Sequence, residues 1–218
     1  VQSVFSGTTA TASIVLPQPK GYYQPYSVSN TIGYQTTEQR IVRENEIVNY
    51  ASAQVSAAIG DNYNLDTNSD GMVDSVSFVF PTTLYTDAGW SELLWPHLTS
   101  GSAAGASIDS KSVGSYVFLS WGDNTTGVFN DKGNADTTIS HEFLHNIGLP
   151  DLYRYNDQTG NREPVGVWDL MSNGSSKAIP SVDAYLQHEY LGYGDTLPIY
   201  TSSSQVTLYA AGYTDKSQ

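Results

Sequence analysis

The string His141-Glu142-Phe143-Leu144-His145 sets two imidazoles one helical turn apart, with a carboxylate beside the first. On a helix, residues i and i+4 stand one above the other, so His141 and His145 can each aim a ring nitrogen at one metal ion. Glu142 falls to the side, where it can take a proton from water held at that metal. Gly148 fits a helix stop, and Pro150 bars continuation of the helix. The chain then turns back and can bring Asp151 to the metal as a third ligand. A fourth position left open for water is the pattern of a catalytic rather than a structural zinc site. Glu189, on a later helical stretch, is the rival third ligand, and Glu163, in a polar loop, is a weaker one. The plain alternative is a buried helix with two incidental histidines. Two of only four His in the chain fall in this pattern, which weighs against it.

These residues need elements to hold them. The spacing predicts a helix over 137–147 with Asp136 as its cap and with Ile139, Phe143 and Ile147 turned toward a core. A second helix is predicted from Thr36 or Thr37 to about Ile59, stopped by Gly60. In that helix Ile41, Ile47, Val48, Val55 and Ile59 fall near one side, and Glu38, Arg43 and Glu44 are expected to face out. Strands are predicted over 12–16, 74–80 and 115–121, and 99–115 reads as a flexible Gly, Ala and Ser-rich loop. Residues 182–191 fit a C-terminal helix, and 197–209 hold two strand-like runs.

Two further stretches have chemistry-bearing residues. Asp66, Asn68, Asp70 and Asp74 alternate around Gly71, which matches the first half of a calcium loop. Ser77 stands where an EF-hand needs a bidentate Glu, so an Asx-rich turn held by its own side chains is the competing reading. Residues 89–100 contain Trp90, Trp95, Pro96 and His97. They read either as a substrate wall beside a cleft or as a core loop with a hydrogen-bonded His.

The extended motif from His141 to Asp151 resembles the metzincin signature. The longer string HEFLHNIGLPD, followed by VGVWDLMSNG at 165–174, is similar to the secreted immune inhibitor A type of zinc metallopeptidase. Gly71-Met72-Val73-Asp74, Leu94-Trp95-Pro96-His97 and Leu191-Gly192-Tyr193 resemble that family in the same order. The resemblance implies zinc, a Met floor beneath it at Met171, and Asp151 ahead of Glu189 as third ligand. Some metzincins place a Tyr two residues after that Met; Asn173 stands there in this chain. The family's opening hydrophobic strand is not found, so the chain reads as a processed form or an excised fragment that starts at Val1.

Composition bounds the rest. Nine Lys and Arg against 22 Asp and Glu give a net charge of −13, which disfavours nucleic acid because phosphate binding needs basic residues. Absence of Cys excludes a disulfide framework and a thiolate metal site. The longest apolar runs, 76–80 and 116–119, are too short to span a bilayer. The expected fold is α+β: a twisted mixed sheet with a scaffold helix and a zinc-binding helix, over a smaller C-terminal lobe. The expected domains are a catalytic 1–195 and the start of a β-rich segment at 196–218. The expected function is zinc-dependent cleavage of protein or peptide substrates by a monomer, secreted or on the surface of a bacterium. A zinc-containing binding or adhesion module with little turnover is the alternative, and the intact Glu142 argues against it.

Overall fold

The computed structural model describes residues 13–59, 63–80, 92–101, 105–120, 134–155, 164–172, 180–193 and 201–205. Helix α1 spans Thr37–Ile59. Thr36 caps it, its Oγ1 accepting the Gln39 N–H at 3.2 Å, while Gln39 Oε1 reaches back to the Gln35 N–H at 2.7 Å. That is a reciprocal capping arrangement displaced by one residue. Glu44, Ile47, Val48, Ala51 and Ser52 are buried, and Val55 and Ile59 pack on the core. The buried positions recur with helical spacing, and Glu44 is part of that stripe. This corrects the expectation that Glu44 faces out. Ile41, expected inside, is 46% exposed. Apolar periodicity favoured Ile41 because a buried Glu is admitted only when distant residues satisfy it, which the local pattern does not reveal. Arg43 lies with its guanidinium 3.9 Å from the centre of the Tyr22 ring and donates to the carbonyls of Tyr22 and Ile32.

The principal sheet is mixed. Strands β1 (Ser77–Phe80), β2 (His97–Ser100) and β5 (Ser115–Ser120) are ordered β1-β5-β2. β5 is central, parallel to β1 with Ser77 opposite Val117, and antiparallel to β2 with His97 opposite Phe118. A central strand covered on both faces should be apolar throughout. Tyr116, Val117 and Phe118 are accordingly buried, with Phe78, Phe80, Tyr116 and Phe118 meeting edge to face or tilted. β2 has no partner on its outer side among the described residues.

Three expectations for this region change. Residues 99–115 hold a small hairpin in place of a flexible loop, β3 (Ser107–Ile108) paired antiparallel with β4 (Lys111–Ser112). Its two turn residues, Asp109 and Ser110, both take positive φ, the requirement of the tight turn whose twist suits paired strands. Ala106, Ile108 and Val113 bury the hairpin, and Asp109 N–H donates to Ser56 Oγ on α1. Residues 97–100 form β2, not part of a loop. Ser13 to Leu16 alternate in burial as a strand would, with Ile14 and Leu16 against the core, but make no strand pairing. Gly60, Trp90 and Trp121 lie outside the described residues.

Helix α2 (Asn134–Asn146) packs on β5 and β2. The chain divides into two compact units, Val1–Asp183 and Ala184–Gln218. The first is α+β and has the core. In the second, α3 (Ala184–Glu189) closes with Tyr190 and Leu191 N–H groups on the Leu186 carbonyl. The boundary expected near 195 falls in 194–200, outside the described residues. No helix among the described residues is long and apolar enough to cross a membrane.

Candidate metal centre

α2 begins three residues earlier than the spacing predicts, so Asp136 lies in its first turn. An acidic residue suits either place, because both lie at the positive end of the helix dipole. The inward face is also different. Thr137, His141 and Glu142 are buried, whereas Phe143 and Ile147 are 51% and 48% exposed and Ile139 is half-buried. The buried face of the helix is the one that has His141 and Glu142. Imidazole rings have enough apolar body to pack there when their polar tips are satisfied.

The helix stops in a Schellman motif. Gly148 takes φ +97°, its N–H reaches the His145 carbonyl at 3.0 Å, and the Leu149 N–H reaches the Leu144 carbonyl at 3.2 Å. Leu149 then buries its side chain, and its carbonyl accepts the Nδ1 hydrogen of His145 at 2.7 Å. His141 is held in the same way, Nδ1 to the Leu170 carbonyl at 2.8 Å. Carbonyls only accept, so both rings carry a hydrogen on Nδ1 and turn Nε2 toward one point.

Those two Nε2 atoms stand 3.1 Å apart. Asp151 Oδ1 lies 2.9 Å from His141 Nε2 and 3.2 Å from His145 Nε2. Donors bound tetrahedrally to one zinc at about 2.0–2.1 Å stand about 3.3 Å apart, so the three atoms need spread only slightly. Oδ1 is buried, with both imidazoles facing it. Two imidazole nitrogens and a carboxylate oxygen converging on one point are a donor set for a cation. Burial works against charge on both imidazoles, but Asp151 outweighs it and raises both above the ordinary histidine value. Burial would likewise raise Asp151, but the two imidazoles and Tyr155 hold it well below the usual carboxylate range.

The turn at 169–172 supports this centre from below. Asp169 is fully buried; Oδ1 accepts the Met171 N–H and Oδ2 the Asp183 N–H, each at 2.6 Å. Met171 is fully buried, directly after the carbonyl that holds His141, and its own carbonyl accepts the Leu152 N–H at 2.6 Å. One turn therefore positions both a histidine and the segment that has Asp151.

A cleft of about 610 Å³ opens beside the centre, lined by Glu142, His145 and Asp151 on one side and Trp95, His97 and Leu98 on the other. Burial raises the Glu142 carboxyl above its ordinary value, against the pull of both imidazoles. Among the described residues, His141, His145 and Asp151 are the cluster able to share a metal.

The profile of the immune inhibitor A peptidase M6 catalytic domain matches residues 59–183, more than half of the chain and the whole of this centre. The chain belongs to that family. No curated protein and no solved structure matches it. Members of the immune inhibitor A family are metallopeptidases, so the three converging atoms are this member's candidate metal ligands and peptides its substrate class.

Glu189 sits on α3 in the second unit and is bonded to His188 at 3.0 Å. Glu163 and Asn173 lie outside the described residues. The Asp66 loop is closed internally: Asp66 accepts the Asp70 and Gly71 N–H groups and the Lys111 ammonium at 2.9 Å, Asp70 accepts the Met72 N–H, and Asp74 accepts both Thr67 donors. Lys111 supplies the positive charge, and nothing here supports calcium; the Asx-turn reading is the one the bonds favour.

Five contributors were not readable from the motif. Tyr155 donates to Asp151 Oδ2, and Tyr153 lies nearly parallel to the His141 ring at 6.1 Å. Burial raises both phenols. Asp169 and the carbonyls of Leu149 and Leu170 complete the set. The aromatic pair in Asp151-Leu152-Tyr153-Arg154-Tyr155 was the available signal for the two phenols; carbonyl partners have none.

Proposed function

We propose that the chain is a secreted, monomeric zinc endopeptidase of metzincin type, with His141, His145 and Asp151 as ligands and Glu142 as general base. The observation that carries this reading is the meeting of two Nε2 atoms and a buried carboxylate oxygen at 2.9–3.2 Å, with both Nδ1 hydrogens committed elsewhere. The donor set fits zinc: two imidazoles, a carboxylate, and a side open to the cleft. When bound, zinc supplies Lewis acidity, making water a nucleophile near neutral pH and polarising a carbonyl.

The chain's own residues do the rest. Glu142, raised toward neutrality by burial, accepts the proton of the attacking water and delivers it to the departing amine. The leaving peptide thereby goes as a neutral amine, and the carboxylate is regenerated. Tyr155 occupies Asp151 Oδ2, which leaves Oδ1 for the metal. Met171 gives the ligands a fixed apolar floor. The open edge of β2 borders the cleft, and an extended substrate pairs with it through main-chain hydrogen bonds, with Trp95 and His97 forming the wall.

Metal analysis combined with a protein-cleavage assay tests the reading. One zinc per chain, cleavage abolished by chelator and restored by zinc, is the expected result. A zinc-loaded protein that cleaves no peptide or protein across a broad substrate set would overturn it.

A further inference from the structure

Glu44 is a buried charge with no part in the proposed chemistry. It sits in the middle of α1, far in sequence from every metal-centre residue, and is 5% exposed. Its Oε1 accepts Tyr116 Oη–H at 2.7 Å and Thr99 Oγ1–H at 3.0 Å, and lies 3.3 Å from His97 Nε2. Its Oε2 accepts Arg40 Nη1–H at 3.1 Å. Two of these four donors, Thr99 and His97, belong to β2, the strand that borders the cleft.

His97 is bonded at both ends of its ring. Nε2 faces Glu44 and Nδ1 faces the Trp95 carbonyl. A carboxylate and a carbonyl are both acceptors only, so both nitrogens carry hydrogen and the ring is an imidazolium. Burial opposes that charge, but Glu44 and the Trp95 carbonyl outweigh it and hold His97 above the ordinary histidine value. The charged groups facing the ring are Glu44 and Arg40 from α1 and Glu142 from α2. From β5 come Tyr116, kept neutral by burial and Glu44, and Phe118, whose ring centre is 5.2 Å away.

We propose that Glu44 and His97 clamp the start of β2 to α1 and so hold the substrate-pairing edge in register with Glu142. His97 is then a positioning residue. Both of its N–H groups are spent inside the protein, so it makes no hydrogen bond to substrate through them. This inference rests on the peptidase reading for its substrate half only; the clamp itself is a property of the fold.

The clamp has consequences that a purely stabilising bond lacks. A peptide long enough to pair along β2 depends on it, whereas a tripeptide reaching little beyond the scissile bond does not. Deprotonation removes one of the two ring donors, so the tie loosens as pH rises through the raised His97 value.

The test uses zinc-loaded full chain and His97→Gln, with two fluorogenic substrates, an octapeptide and a tripeptide sharing one scissile bond. Amide hydrogen exchange at β2 is read alongside, independent of turnover. The expected result is faster exchange at 97–100 in His97→Gln, unchanged zinc content, and an octapeptide KM raised about ten-fold, the scale of one lost charge-assisted hydrogen bond. The tripeptide constants should hold in Thr99→Val, whose side chain lies outside the cleft lining. Wild-type octapeptide KM should climb as pH rises past the ordinary histidine value, a limb absent from His97→Gln. Unchanged exchange overturns the clamp. Faster exchange with equal losses on both substrates overturns the positioning role. If the zinc-loaded wild type cleaves neither peptide, the peptidase reading fails, and exchange alone decides the clamp. Thr99→Val, which removes a Glu44 bond outside the cleft lining, gives the same reading in smaller measure should His97→Gln not fold.

Discussion

Glu142 and Asp151 are carboxylates on one cleft, and their surroundings push them in opposite directions. Asp151 is held down by two imidazoles and a phenol, Glu142 is held up by burial, and a metal ligand and a general base need those opposite tendencies. Glu142→Gln should keep zinc and lower turnover by about 10²–10⁴-fold, the usual worth of a positioned base; near-normal cleavage by zinc-loaded variant would remove the assigned role. Asp151→Ala should weaken zinc by more than the roughly 10–100-fold typical of outer partners, while Glu189→Ala leaves it unchanged. Tyr155→Phe frees Oδ2 and should cost about ten-fold in zinc affinity, at the low end of that range because the phenol is exposed. A titration with a competing zinc chelator distinguishes the three. The spacing of His141, Glu142 and His145 was legible in the sequence because it follows from helix geometry, and the family resemblance put Asp151 ahead of Glu189. Tyr155 and Asp169 were not, since each acts through a bond whose partner no local periodicity marks.

At the scale of elements, the metal centre depends on where α2 ends. Gly148 at φ +97° lets the chain reverse so that Leu149 holds His145 and Asp151 returns. Gly148→Ala should cost about 1–2 kcal/mol through the backbone alone, and should weaken zinc in parallel because the same turn orients two ligands. A variant with lowered melting temperature but wild-type zinc affinity would separate turn from site. Helix existence, the cap at Thr36 and the stop at Gly148 were all readable from residue type. The inward faces were not. On α1 the pattern put Ile41 inside and Glu44 outside, and on α2 it put Phe143 and Ile147 inside; the structure reverses these. Glu44 is admitted to the core by Tyr116, 72 positions away, and by two residues of β2. Only a carboxylate has room for so many donors. Glu44→Gln should therefore lower stability by about 3–5 kcal/mol, the cost of breaking one side of a buried charged pair, read as a fall in the denaturant midpoint.

For the whole molecule, zinc binding and folding are linked through protons. A metal that binds only the native chain adds about 2.7 kcal/mol at a free concentration 100 times its Kd. For a chain of this size that raises the melting temperature by roughly 5–10 °C. The size of that rise must depend on pH in a definite direction. In the metal-free protein His141 and His145 have raised values. Their contribution to stability is full below the unfolded histidine value near about 6.5, and is lost as pH rises through the raised native values. Zinc needs the same two nitrogens deprotonated, so its affinity gains over the same interval. Asp151 is held low and stays ionised throughout, so it adds no slope there. Both histidine effects have one sign: the gap between zinc-loaded and zinc-free melting temperatures should widen from about pH 5.5 to 8, at fixed free zinc. Calorimetry on matched samples measures it, with His141→Ala as the control that should show no gap. A gap that is constant or narrows with rising pH would mean that zinc stabilises this chain through atoms other than the two Nε2 lone pairs.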